Sequence, residues 1–336
     1  MSNDTILLEH GDGGMLTGRL IREVFLPQLR NEFLEKLEDG AVCSVNGCRL
    51  CFSTDSYVVN PYFFPGGDIG SLAVHGTVND IAMCAGKPLY LSAGFILEEG
   101  FPLADLEKIV HSMAEAAGNA GVHVVTGDTK VVQKGAADGI FINTAGVGAV
   151  SYHGTVSVSS IQPGDTVILN GFIGDHGAAI LSKREGLGLS ADIVSDSAPL
   201  NGLVADILDA GSTIRCMRDA TRGGLGAVLA EIAAQSGLCI TVEESAVPVR
   251  EPVRAVCEIL GIDPMFLANE GKMAVFCGAN EADGVLNAMR GHEYGRNAAV
   301  IGTVSADRRG RCVLKTAIGG QREIGPPTGE LVPRIC

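Results

Sequence analysis

Three aspartates lie among small residues: Asp55 in FSTDSYVV, Asp80 in GTVNDIA and Asp128 in TGDTKVV. Glycine, serine and threonine leave room for a phosphate near the backbone. Hard carboxylate oxygens suit Mg²⁺, which commonly arrives with nucleotide phosphates. Each aspartate taken singly has an alternative as a cap or turn residue. The three together, beside glycine-rich loops, point to a nucleotide site. The stretch His10-Gly11-Asp12-Gly13-Gly14 offers phosphates the backbone N–H groups of Gly11, Gly13 and Gly14. It is neither a Walker A loop nor a dinucleotide-binding turn, and a loose N-terminal arm is its alternative.

Other motifs set charged groups at the starts of elements. Gly174-Asp175-His176 opens a helical stretch, and a helix N-terminus attracts anions. A capped helix carrying an incidental His176 is the equal alternative. In Arg218-Asp219-Ala220-Thr221-Arg222-Gly223-Gly224 a cap-like Thr joins a cation, so Arg222 can meet a phosphate or a carbonyl. A plain capped helix is the rival there. Asn269-Glu270-Gly271-Lys272 precedes an apolar strand. If partly buried, Glu270 gains the raised proton affinity of a general base; a surface turn is the simpler reading.

Cys43, Cys48 and Cys51 have the spacing of some iron–sulfur ligands. An Asn46-Gly47 turn pairs residue 45 with 48 and residue 43 with 50, which puts Cys51 on the opposite sheet face from Cys43 and Cys48. Three thiolates cannot converge from that arrangement. Cys336 differs by position: it ends a proline-containing tail, exposed and mobile, where its thiolate is a nucleophile. Arg334 favours its ionisation and the α-carboxylate opposes it. A frayed terminus without function is the alternative.

The elements that must position these groups alternate in period. A helical pattern at Leu16, Leu20 and Val24 is broken by Pro27, and Phe33, Leu34 and Leu37 suggest a second short helix. A hairpin follows over 42–54, then a helix from Asp68 past Asp80. Strand 89–97, helix 103–120 and strands 122–126 and 139–149 complete a first α/β region. Ser-rich 151–164 reads as a domain boundary. Beyond it come strand 166–170, helices 176–184, 198–209 and 222–235, strands 238–243 and 273–277, helix 281–290 and strand 298–304. Residues 325–336, with three prolines, read as an extended tail.

Hydrophobic residues at 46% allow a sizeable core, and ten scattered cysteines read as reduced thiols. A formal charge of −14 repels nucleic acid and anionic lipid. No apolar run reaches the ~18 residues of a membrane span, and the start lacks a signal segment, so a soluble cytoplasmic protein is expected.

Over nearly its whole length the chain resembles the HypE family, the carbamoyl dehydratases of hydrogenase maturation. The resemblance rests on HGDGG, FSTDSYVVNPYFFPGGDIGSLAVHGTVNDIA, FILEEG, TGDTKVV, GDHGAAIL, RDATRGGL, ANEGK and the terminal PRIC. Aminoimidazole ribonucleotide synthetase, selenophosphate synthetase and thiamine-phosphate kinase share the aspartates and glycines but not PRIC. The resemblance implies an α/β fold (α+β type) of the two-domain aminoimidazole ribonucleotide synthetase-like kind. It has an arm over 1–40, an ATP-binding, dimerising domain over 41–150, a C-terminal domain over 151–324 and a mobile tail over 325–336. It implies ATP and Mg²⁺, a carbamoyl group received on Cys336 from the carbamoyltransferase HypF, and its dehydration to a thiocyanate. The cyano group then passes to iron held by the HypC–HypD complex for [NiFe]-hydrogenase. On this reading Asp55, Asp80 and Asp128 hold Mg²⁺ and Gly11, Gly13 and Gly14 cradle phosphate. Glu270 takes the proton, Lys130 orients or relays, and His176 and Arg222 contact phosphate or substrate. Another superfamily ligase or kinase, and a non-catalytic assembly scaffold, are the competing readings.

Overall fold

The computed structural model describes residues 5–11, 13–184, 193–327, 332 and 334–336. Asn46 and Gly47 both take positive φ, the backbone a two-residue hairpin turn demands. They join β1 (Ala41–Val45) to β2 (Cys48–Tyr57), with Val45 opposite Cys48 and Cys43 opposite Leu50. Cys51 is buried and Cys48 exposed, on opposite faces as the register requires.

The first domain continues with α1 (Ile69–Met83), β3 (Lys87–Glu98), α2 (Leu103–Ala120), β4 (His123–Val132) and β5 (Ile140–Ala149). Its sheet runs β1-β2-β5-β3-β4, antiparallel except for the β3–β4 pair. Helix α1 begins where its capping chemistry sets it. The Asp68 carboxylate accepts from the Gly70 and Ser71 N–H groups, at 2.7 and 3.1 Å, and the Ser71 hydroxyl reaches back to the Asp68 N–H. Almost every residue of α1 is buried, because it packs on β2 and β5 on one side and α2 on the other. Each fully buried Leu, Ile or Val contributes roughly 1.5–3 kcal/mol there.

Close approach is what lets α1 sit so near the sheet. A Cβ on Gly146 of β5 would come within 2.7 Å of both Ile81 and Leu91, and one on Gly148 within 2.5 Å of Ile81. These glycines are space-makers for the helix that carries Asp80.

Residues 151–164 lead into the second domain. Its elements are β6 (Asp165–Leu169), α3 (Asp175–Arg184), α4 (Asn201–Asp209), β7 (Ile214–Asp219), α5 (Gly224–Ser236), β8 (Cys239–Glu243), α6 (Glu251–Leu260), β9 (Met273–Gly278), α7 (Ala282–Gly291), β10 (Ala299–Ser305), β11 (Cys312–Lys315) and β12 (Gln321–Ile324). The sheet order is β12-β11-β8-β10-β6-β9-β7. Sequence reading omits β7, α6, β11 and β12. Strands β11 and β12 have only four residues each, too few for a period to register.

The arm also differs from expectation. Pro27 does not break the helix; helical geometry runs through a π segment, Ile21–Phe25, and on to Leu29. The second helix reduces to a single 3₁₀ turn, Leu34–Lys36. Of the tail, residues 328–331 and Pro333 lie outside the described residues, as does Asp12 of the glycine stretch.

Candidate functional site

A cavity of about 210 Å³ opens where the two domains meet. Asp55 enters it from β2, Asp80 from α1, and Asp39 from just before β1. The second domain supplies Asp219 from the end of β7, Arg222 from the turn into α5, and Glu270 from the segment before β9. Cys336 closes the list, only 6% exposed.

The electrostatics are those of acids crowded together out of water. Burial first, then the charges of Asp219, Asp39 and Asp55, hold the Asp80 carboxyl well above its usual range, although the Ser53 hydroxyl donates to it at 2.7 Å. Burial and Asp39 push Asp219 up to about 8. Glu270 is raised well above normal by burial, Asp219, Asp196 and Asp55, with Arg222 opposing. Asp55 is raised by burial, against an Arg222 guanidinium 3.8 Å away. Oε1 of Glu270 and Oδ2 of Asp39 are buried with no hydrogen-bond partner among the described residues.

Such a donor set suits a hard cation. Among the described residues no three metal-binding side chains are already assembled around one point. The orphaned carboxylate oxygens and the raised proton affinities are what a missing positive charge would relieve. Asp39, Asp55, Asp80 and Asp219 are the residues that fit Mg²⁺ here. Asp128 does not join them within one chain. It is exposed on edge strand β4, where the Lys130 ammonium, 2.6 Å from its Oδ1, holds its carboxyl below the usual range. Asp128 lines instead a larger groove of about 960 Å³ between β4 and α2.

Gly13 takes positive φ against Arg222, and a Cβ there would stand 3.0 Å from the Arg222 Cβ. Gly14 abuts the Pro327 carbonyl, whereas Gly11 has open space around it. The glycine stretch therefore lies over the Arg222 turn and the beginning of the tail.

The described end of the tail is docked. Val58 N donates to an α-carboxylate oxygen of Cys336 at 3.0 Å and Asn60 N to the Arg334 carbonyl at 3.2 Å, a strand-like alternation. Arg334 does not face the thiol. Its guanidinium donates to the Val58 carbonyl and pairs with Asp138. The cation facing Cys336 is Arg222. Even so, burial raises the thiol far above its ordinary value, aided by Glu270, Asp55 and Asp219, so docked Cys336 is a neutral thiol.

His176 does not line this cavity. It is fully buried, with Nε2 2.7 Å from the Ile335 carbonyl and Nδ1 2.8 Å from the Ser195 hydroxyl. Because a carbonyl only accepts, Nε2 carries the proton and Nδ1 accepts from Ser195. Burial lowers the affinity of the ring for a second proton. His176 grips the tail one residue before the cysteine. Sequence reasoning missed Asp39 and Asp219. Asp219 stands inside RDATRGGL, three residues from Arg222, and that motif was the available signal; Asp39 carries none.

Residues 37–150 match the family described as AIR synthase related protein, N-terminal domain, and residues 162–315 match its C-terminal domain. The fold and the junction site thus define a member of the AIR synthase related class. Within that class, the chain is 55% identical to carbamoyl dehydratase HypE of Azotobacter vinelandii, over 100% of this chain and 98% of that one. It is 46% identical to carbamoyl dehydratase HypE of Escherichia coli (strain K12), over 99% and 100% of the two chains. The structure matches that of the hydrogenase maturation protein HypE in complex with ATP, with a TM-score of 0.83, 49% identity and coverage of 99% of this chain and 100% of that one. A HypE–HypF complex gives a TM-score of 0.87 at 48% identity, covering 92% of this chain and 99% of the other. The chain belongs to the HypE family of carbamoyl dehydratases, enzymes of hydrogenase maturation.

Proposed function

We propose that this protein dehydrates a carbamoyl group carried on its own Cys336 to a thiocyanate, at the expense of ATP. The observation that carries the reading is Cys336 itself, seated between Arg222, Glu270 and the aspartates of the junction cavity.

Loading must happen elsewhere. A buried thiol with a raised pKa is a poor nucleophile, so the tail accepts its carbamoyl group from HypF while undocked. Once redocked, the S-carbamoyl oxygen takes the γ-phosphoryl group of ATP and ADP leaves. The carbon–oxygen bond then breaks with loss of phosphate, the two nitrogen protons depart, and the nitrile remains on sulfur. Arg222 faces the oxygen that gains negative charge as it departs with phosphate, and the glycine stretch, which lies over the Arg222 turn, covers the phosphates. Glu270, held at high proton affinity with an unpartnered oxygen, receives a nitrogen proton. Bound at Asp39, Asp55, Asp80 and Asp219, Mg²⁺ would neutralise the phosphates. The cyano group passes to iron on the HypC–HypD complex.

The exposed edge β4, with Val124, Val125 and Val131 uncovered, supports a homodimer formed through the first domain. In it Asp128 and Lys130 of one chain complete the cavity of the other, with Lys130 as the relay. A cytoplasmic setting suits this chemistry, and no described helix is long and apolar enough to cross a membrane.

Intact-mass measurement tests the reading. Incubation with carbamoyl phosphate, the carbamoyltransferase and ATP should place first the carbamoyl mass and then the cyano mass on the Cys336 peptide. Cys336→Ala should fold, bind ATP and take up neither. Carbamoyl uptake by Cys336→Ala would sink the proposal.

A further inference from the structure

Residues 193–200, IVSDSAPL, form a strap that touches both halves of the site without lining its cavity. At one end Ser195 N donates to the Pro65 carbonyl at 2.8 Å, and the Ser195 hydroxyl meets His176, the residue that grips the tail. Ser197 N fixes that hydroxyl from behind at 3.0 Å. One residue on, the Asp196 carboxylate accepts from the Glu270 N–H and the Gly271 N–H, each at 3.2 Å. It also pairs with the Lys272 ammonium at 2.9 Å, and only 4% of its side chain is exposed.

The strap and the Glu270 segment leave each other no slack. A Cβ on Gly271 would collide with the Asp196 carbonyl, so any larger residue there forces the two backbones apart. Asn79, next to Asp80 on α1, closes the arrangement. Its amide donates to the carbonyls of Ala198 and Glu270, at 3.1 and 3.3 Å, and its oxygen accepts from Leu200 N at 2.7 Å. The buried Asp196 keeps its charge because the Lys272 ammonium and the Glu270 N–H outweigh the effect of burial. An ionised carboxylate bonded to two consecutive N–H groups is a strong fixture for a short segment.

We infer that Asp196 is a positioning residue for Glu270 and Ser195 one for the docked tail, so that a single strap sets proton acceptor and carbamoyl carrier in register. This rests on the reading of Glu270 as the base. Asp196 does not line the junction cavity; it acts through the backbone of residues 270–271. Ser195 acts through the His176 tautomer, since only an unprotonated Nδ1 accepts its hydroxyl while Nε2 holds Ile335.

The two halves of the strap separate experimentally. Carbamoylated protein is mixed with ATP, and conversion at Cys336 is followed by mass under single turnover. Asp196→Ala should slow conversion about 10- to 100-fold, the scale of a misplaced catalytic group, while ATP affinity and the rate of carbamoyl loading stay within about twofold. Asp196→Asn, which keeps one acceptor oxygen, should recover part of that loss. Ser195→Ala should instead raise the reactivity of Cys336 toward a thiol reagent in the unloaded protein, roughly fivefold or more, where Asp196→Ala leaves it unchanged. Wild-type conversion by Asp196→Ala overturns the inference, as does equal loss of conversion, ATP binding and loading. So does a common response of both variants in both assays. Glu270→Gln run alongside keeps the failures apart. If it converts normally, the base assignment falls; if it stalls while Asp196→Ala does not, only the strap's role falls.

Discussion

Two acidic regions of this chain look alike in sequence and behave oppositely in the fold. Asp80 and Asp219 sit in the domain junction, where burial and like charge push their carboxyls up. Asp128 sits on exposed β4, where Lys130 pulls its carboxyl down. In the first group the acids outweigh the nearby Arg218 and Arg222, and in the second each charge has its own partner. An aspartate among small residues therefore marks a place where something fits, and its surroundings decide what. The junction is assembled within one chain, whereas the β4 pair faces outward, toward the neighbouring chain of the proposed dimer.

The largest test of that contrast is Glu270→Gln. It should load a carbamoyl group normally and slow dehydration by about 10²–10⁴-fold, the usual range for losing a general base, read as carbamoyl mass persisting on Cys336. Next is Asp80→Asn, nearly isosteric, which should lower ATPase activity by about 100-fold with an unchanged circular dichroism spectrum. Asp128→Asn should cost less, about tenfold. On the proposed dimer Asp128 acts on the neighbouring chain's cavity, so mixing Asp128→Asn chains with Asp80→Asn chains should restore activity above that of either alone. No recovery on mixing would return Asp128 to an ordinary surface role and break the comparison.

The smallest effect is on stability. The folded ligand-free protein holds Asp219 protonated up to pH about 8, whereas an ordinary aspartate in the unfolded chain releases its proton near 3.8. The folded state binds the extra proton, so this contribution is complete below pH 3.8 and is lost as pH rises through about 8. Asp219→Asn cannot ionise, so above pH 8 it should melt roughly 2–4 °C higher than wild type, with the gap closing toward pH 4. Saturating Mg²⁺ with ATP should reverse the order, because only the wild type gains the full benefit of the ligand.

Much of the first domain was legible because its signals are local. Asn46-Gly47 fixes the hairpin register, and Asp68 with Ser71 fixes the start of α1. Asp55 and Asp80 were also legible as candidates, since each stands in a motif whose small neighbours announce close approach, whereas Arg222 and Glu270 read equally well or better as parts of a capped helix and a surface turn. What the sequence hid is what depends on the third dimension. Asp39 reaches the cavity only because the chain before β1 passes the end of β7, where Arg218 pairs with it at 2.8 Å. His176 has the residue type of a catalytic group and the position of a clasp, a distinction made by Ile335, far along the chain. Nothing in VSDSAPL signals that Asp196 supports the backbone of Glu270 from the far side.

The glycines under α1 bear on how mutational tolerance in this protein should be interpreted. Gly146 and Gly148 bond to nothing catalytic, yet a single added methyl at either has nowhere to go while Ile81 stays in place. A saturation scan would score them as intolerant as Asp80, one residue before Ile81. The two kinds of intolerance have different remedies. A trim of Ile81 to Val, which removes the Cδ1 that a Cβ on Gly146 would meet, should restore some growth to Gly146→Ala, whereas no second-site change in packing can return the lost charge of Asp80→Asn. Suppressor genetics would therefore sort geometry from chemistry along this helix.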